Sequence, residues 1–152
     1  MREPKEPPMK HKLINAGPER TFAVVLDVGD EPVSCLTRFA KDNRLDAARF
    51  TGIGAFSEAV VGFFDLQRKD YDRIPIAAQV EVVSLIGDVA LGPNGEPKLH
   101  AHVVLTKRDG SAWGGHLIEA RVQPTLEVML VESPSHLQRR TDAATGLALI
   151  VL

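Results

Sequence analysis

The sequence predicts an α+β fold: an antiparallel β-sheet with one helix packed against it. Three observations carry this expectation. Short apolar, β-branched runs recur along the chain, from Thr21-Phe-Ala-Val-Val-Leu26 to the stretch between Gly146 and Leu152. One segment, near residues 31–43, instead repeats its apolar residues at helical spacing. The connections between the later runs are short turns, and short turns join antiparallel neighbours because parallel pairs need long crossovers. A chain of 152 residues is about one domain long. Residues 20–152 are expected to form it.

Residues 1–19 are charged, are broken by Pro4, Pro7 and Pro8, and show no apolar period, which predicts a flexible tail. Thr21 to Leu26 follows as a strand, and the Gly- and Asp-rich residues 27–31 as a turn. Asp30 or Glu31 can begin a helix with Pro32 in its first turn. Val33, Leu36, Phe39 and Ala40 give that helix, running to about Asn43, one apolar stripe for a sheet. Cys35 lies on or beside the stripe and reads as a small buried hydrophobe.

A second strand begins at Ala47. Gly52-Ile53-Gly54 after it lacks the third glycine and following helix of a dinucleotide loop, so it reads as a tight turn or bulge. Glu58 to Asp65 is a further strand. Gln67 to Ile76 is polar and reads as an exposed connection or an edge strand; Asp65, Asp70 and Asp72 lack the spacing of a calcium loop. Gln79 to Leu91 is apolar on both parities, which predicts a central strand buried on both faces. The turn Gly92-Pro-Asn-Gly95 leads into a strand from Lys98 to Thr106. Lys107 to Ser111 turns the chain, Gly114 to Val122 returns, Pro124 breaks the run, and Thr125 to Glu132 is the next strand. Ser133 to Ala144 is polar, with His136 expected to be exposed, and Arg139-Arg140 is too short to be a nucleic-acid patch.

Composition excludes several functions. The formal net charge of −2 supplies no basic field for holding nucleic acid by counterion release. One cysteine cannot form an internal disulfide or a cysteine-rich zinc site, which fits a reducing compartment. No apolar run approaches the roughly 20 residues of a membrane span, and Met1 to Lys12 lacks the apolar stretch of a signal peptide. The expected location is cytoplasmic, with no membrane partner.

The chemistry concentrates in three histidines. His100 and His102 sit two apart in a strand, so both project from one face while Leu99, Ala101, Val103 and Leu105 take the other. Two imidazoles on one face can ligate one cation, and imidazole suits zinc and other divalent transition metals. The place of His116 depends on the hairpin. A three-residue loop, Arg108-Asp109-Gly110 with Gly110 left-handed, sets Lys107 against Ser111 and His102 directly opposite His116. A two-residue Asp109-Gly110 turn sets His100 against Glu119 and turns His116 away. The first register is preferred. Three protein ligands leave an open coordination position, as in catalytic zinc sites, and Glu119 is then the candidate acid/base. Trp113 reads as a packing or interface residue, and Arg121 as facing solvent or a partner chain.

Phe50-Thr-Gly-Ile-Gly-Ala-Phe56, Gly62-Phe-Phe-Asp65 and Glu81-Val-Val-Ser-Leu-Ile-Gly-Asp88 together resemble the plants-and-prokaryotes conserved domain. His100-Ala-His102, Gly114-Gly-His116-Leu-Ile-Glu119 and Pro124-Thr-Leu-Glu-Val128 resemble its stand-alone prokaryotic branch, and the likeness spans roughly Arg20 to Leu149. The resemblance implies an α+β fold assembled as a homotrimer, with His100, His102 and His116 as zinc ligands. Plant members of the family bind AT-rich DNA through an Arg-Gly-Arg-Pro core, and this chain contains none. Cupin barrels also use His-x-His on a strand but add a glutamate four or five residues on, where this chain has Thr106 and Lys107. The leading expectation is therefore a metal-binding trimer that takes a small molecule or a protein partner. DNA binding and a zinc-dependent hydrolase or lyase using Glu119 are the alternatives.

Overall fold

The computed structural model describes residues 9–133 and 137–152. Most of the predicted tail, residues 1–8, and the predicted exposed His136 lie outside the described residues. The rest of the tail departs from expectation. Lys10–Asn15 forms strand β1, antiparallel to β2 (Thr21–Leu26), with Lys10 opposite Val25 and Leu13 opposite Phe22. All of β1 is exposed, so the backbone ladder holds it and no apolar period marks it in the sequence.

Helix α1 (Pro32–Asp42) starts where the sequence places it. The Glu31 carboxylate accepts from the amides of Val33 and Ser34 at 3.2 and 2.7 Å, and Pro32 occupies a position whose missing N–H costs nothing. Its inward stripe is Cys35, Leu36, Phe39 and Ala40, which packs over the sheet. Burial pushes the Cys35 thiol up, away from the reactive thiolate.

Seven strands follow: β3 (Ala47–Asp65), β4 (Asp70–Ile76), β5 (Val80–Leu91), β6 (Pro97–Thr106), β7 (Ala112–Glu132), β8 (Gln138–Thr141) and β9 (Ala148–Val151). At Gly52-Ile53-Gly54 the bulge of the two readings holds and the turn does not, while the break expected at Pro124 is absent. β3 runs straight through Gly52 and Gly54, where its register against β5 shifts by a bulge. At Gly54 a Cβ would lie 2.2 Å from the Thr125 carbonyl oxygen, so only glycine admits β7 this close. β7 likewise runs through Pro124. Phe56 pairs with Val122 and Gly54 with Leu126, so residues 123–125 bow out of the ladder and the proline falls where no amide is needed. β4 is the edge strand that the polar segment allowed, and it pairs with β3.

β3 pairs with β5, β5 with β6, β6 with β7, and β7 with β3 again. The pairings close a circuit and the sheet bends round on itself. Its interior holds Phe56, Leu85, Leu105, Leu126 and Leu130, with Leu36 and Phe39 from α1. β5 is central, as predicted, but only one of its faces is buried. Val83 and Ile86 on the other are each 54% exposed. The bidentate Arg20–Glu132 pair, both contacts at 2.6 Å, ties the start of β2 to the end of β7.

Candidate metal centre

The β6–β7 hairpin has the three-residue loop. The Lys107 amide donates to the Ser111 carbonyl at 3.0 Å, the Gly110 amide donates to the Lys107 carbonyl at 2.9 Å, and Gly110 is left-handed at φ +80°. That loop fixes His102 directly opposite His116. Ala101, Val103 and Leu105 turn inward with at most 3% exposure, so alternation sends His100 and His102 outward together. One ligand-capable atom from each of His100, His102 and His116 lies within 4.8 Å of the others.

His102 is exposed, while His100 and His116 are half-buried. Desolvation pulls the His116 imidazole down to about 4, with the neighbouring His100 and His102 adding to the effect. Burial lowers His100 as well, with the Arg139 charge second. Both rings are therefore neutral near pH 7, the form that ligates metal. His116 Nδ1 is buried and has no hydrogen-bond partner among the described residues, a cost that a further interaction at this ring would offset. The donor set suits zinc. A tetrahedral ion about 2.0–2.1 Å from each nitrogen asks the three rings to close by on the order of 1 Å.

His116 is also the residue at which β7 changes partners. It pairs with His102 of β6 on one side and with Gly62 of β3 on the other. The aromatic wall beside it comes from β4. The Tyr71 ring stacks on the His116 imidazole at 4.6 Å, and a Cβ on Gly62 would lie 2.7 Å from Tyr71 Cδ1. Beyond His102 the two strands splay, and a cleft of about 330 Å³ opens where Leu99 of β6 and Leu117 of β7 no longer face each other. Val33 of α1 closes it behind, and Asp70, Tyr71 and Arg73 form its outer wall.

Glu119 is not among the residues whose ligand-capable atoms converge. Its carboxylate accepts from Arg73 Nη2 at 2.7 Å, with both side chains 56% exposed. The register slips between Val60 and Val61, which pair with Glu119 and Leu117. This bulge keeps Glu119 on the outer face despite its odd spacing from His116. The carboxylate nearest to the triad by register is Asp88, directly opposite His100 and ion-paired with the buried Arg139 of β8. Asp88 was within reach of the sequence, because counting back from the Gly92–Gly95 turn pairs it with His100. Arg139 was not, since its partner lies 51 residues away. Tyr71 gave no signal either, because its segment was read as an exposed connection or an edge strand, neither of which places its ring against His116. Trp113 is exposed, with the Lys107 ammonium 4.0 Å above its ring, and Arg121 faces outward.

The sequence model of the Plants and Prokaryotes Conserved (PCC) domain matches residues 14–134. Among solved structures, a plant- and prokaryote-conserved protein of Pyrococcus horikoshii is 32% identical, with 94% of this chain and 95% of that one covered and a TM-score of 0.82. A metal-containing protein of Archaeoglobus fulgidus is 31% identical over 96% of this chain and 99% of its own, with a TM-score of 0.80. A candidate DNA-binding protein of Ralstonia eutropha JMP134 is 32% identical over 86% and 90%, with a TM-score of 0.80. A curated relative, the bifunctional protein GlmU of Synechococcus sp. strain JA-3-3Ab, is 30% identical over 86% of this chain. The match spans about a fifth of that relative's length, 20%.

Proposed function

This chain belongs to the Plants and Prokaryotes Conserved (PCC) domain family, and on that footing we propose that it is a zinc-binding module in which His100, His102 and His116 hold the ion. The convergence of three ligand-capable imidazole atoms within 4.8 Å carries this reading. The lowered His100 and His116 and the orphaned His116 Nδ1 agree with it. The Archaeoglobus relative's description as metal-containing points the same way. Bound zinc would supply a Lewis acid with an open position toward solvent or a ligand. Tyr71 fixes the His116 ring by stacking, and the hairpin sets the spacing of the other two. Metal analysis of protein purified without an affinity tag is expected to give about one zinc, or another divalent transition metal, per chain. Absence of any such metal after reconstitution overturns the reading.

The module is proposed to act as a homotrimer in the cytoplasm, with a small molecule or a protein as its partner. The support for assembly is a pair of exposed apolar side chains in the middle of the outer face. Met129, Thr51, Ile86 and His102 are consecutive partners across four strands, and Ile86 and Met129 are 54% and 44% exposed. Light scattering should give three times the 16.6 kDa chain mass. Among the described residues no helix is long and apolar enough to cross a membrane.

Two other readings have less support. The Ralstonia relative's name raises DNA binding, but the net charge of −2 and the missing Arg-Gly-Arg-Pro core stand against it. Retention on duplex DNA at low salt, lost steeply with added salt, would revive it. A hydrolase or lyase would need Glu119 as acid/base, and Arg73 already engages that carboxylate. Loss of a metal-dependent activity in Glu119→Gln, with zinc retained, would revive that one.

A further inference from the structure

The cleft beside the triad has a distinct chemistry at each wall. One end is His116. The inner surface is apolar, formed by Val33, Leu99 and Leu117. The outer wall carries Arg73, whose Nη2 donates to Glu119 Oε1 and whose other N–H groups are free to make a second contact across the planar fork. A cavity of about 330 Å³ is at the small end of ligand pockets, which run roughly 300–1,000 Å³.

Charge decides what would enter it. The metal-capable group among the described residues contains three imidazoles and no carboxylate. Three carboxylates lie nearby: Glu119 is held by Arg73, Asp88 by Arg139, and Asp70 in the cleft's outer wall accepts from the Tyr71 amide at 2.7 Å. A divalent ion on neutral ligands would keep its whole charge in a half-buried setting, where an anion as the next ligand is strongly favoured. Arg73 adds a second attraction for an oxyanion on the same side. The apolar inner surface then selects among anions, since phosphate or chloride has nothing to place against Val33, Leu99 and Leu117, whereas a short alkyl chain does.

The geometry points to this cleft as the binding site of a small short-chain carboxylate, held by the triad's metal and by Arg73, with its carbon chain on Val33, Leu99 and Leu117. The inference rests on the metal-binding reading and goes beyond it by naming the ligand class and the residue that recognises it. Arg73 is a binding residue here, and its pairing with Glu119 orients its fork.

The full untagged chain is loaded with cobalt(II), and its visible spectrum is followed while sodium butyrate is added at constant ionic strength. Saturable change with butyrate is expected, with n-butylammonium and n-butanol silent and with chloride and phosphate at least about tenfold weaker. Arg73→Met should weaken butyrate by about tenfold or more, the value of a charge-assisted hydrogen bond. Arg73→Lys should restore part of that loss. The exposed Arg73–Glu119 pair adds little to stability, so these variants are expected to fold and to keep their cobalt. If the wild type binds cobalt but butyrate leaves its spectrum unchanged, the carboxylate site is overturned and the metal centre stands. An equal response in Arg73→Met, or one matched by chloride, also overturns it. If the wild type takes up no cobalt, the metal reading itself has failed.

Discussion

Tyr71 lies almost parallel to His116, the ring planes 23° apart, and it reaches there by crossing the bare backbone of Gly62. The contact joins an edge strand to one ligand of the triad. It also makes one glycine a determinant of ring orientation, because the space above Gly62 is where the tyrosine passes.

Gly62→Ala tests this dependence. The new methyl would meet Tyr71 Cδ1 at 2.7 Å and Ile118 Cδ1 at 2.9 Å, and both are side chains that can move aside. The expected result is a folded protein with Tyr71 displaced and zinc affinity reduced by about 10–100-fold, the usual cost of losing a group that orients a ligand. Chelator competition measures the affinity, and circular dichroism checks the fold. Tyr71→Ala should reproduce the loss, and Tyr71→Phe should retain most of the affinity.

The metal-free protein should weaken in mild acid. An unfolded histidine titrates near pH 6.5, whereas His116 in the folded chain is held down to about 4. Between these values the unfolded chain binds a proton that the folded chain does not. This contribution to stability is therefore complete above pH about 6.5 and is lost progressively as the pH falls toward about 4. Urea unfolding across that window should show the decline, and His116→Phe should flatten it.

The Asp88–Arg139 pair should be structural. Arg139 is only 4% exposed, and its Nη1 also donates to the Ala148 carbonyl at 3.0 Å, so it docks the β8–β9 hairpin. Arg139→Met leaves Asp88 unpaired opposite His100. A loss of about 2–3 kcal/mol is expected, below the full range for buried pairs because Asp88 is about a third exposed. The double variant Asp88→Asn with Arg139→Met should lose less than Arg139→Met alone, as read by denaturant midpoints.

Ile86→Lys tests the proposed assembly. Ile86 is 54% exposed in the isolated chain, so a lysine there should fold normally. Placed in the middle of a packed face it would bury a charge. Light scattering should then report the 16.6 kDa monomer in place of the trimer.

Part of the site was readable from local rules. Alternation put His100 and His102 on one face, and the left-handed Gly110 decided that His116 stands opposite His102. The strand ends were harder. Gly52, Gly54 and Pro124 look like interruptions, yet each falls in a bulge of a continuous ladder, because its neighbour in β3 or β7 supplies the missing space or needs no amide. β1 carries no period, since none of its side chains is buried. Burial of both faces of β5 follows from apolar residues on both parities, Val80, Val82 and Ile86 on one and Val83, Leu85 and Val89 on the other, yet Val83 and Ile86 are left exposed. Tyr71 and Arg139 reach the triad through long-range packing, which a single sequence does not record.

Among the described residues β4 has a ladder on one side only, and most of its side chains are exposed. His116 is paired from both sides. The two elements that meet at the Tyr71–His116 stack should therefore open at different free energies, and β4 should open first. Amide protons of residues 70–76 should exchange with solvent before those of residues 114–118. The ligand cluster would keep its spacing while its aromatic cover breathes, so the rate at which a metal or a small molecule enters would be set by a local opening and not by unfolding of the sheet.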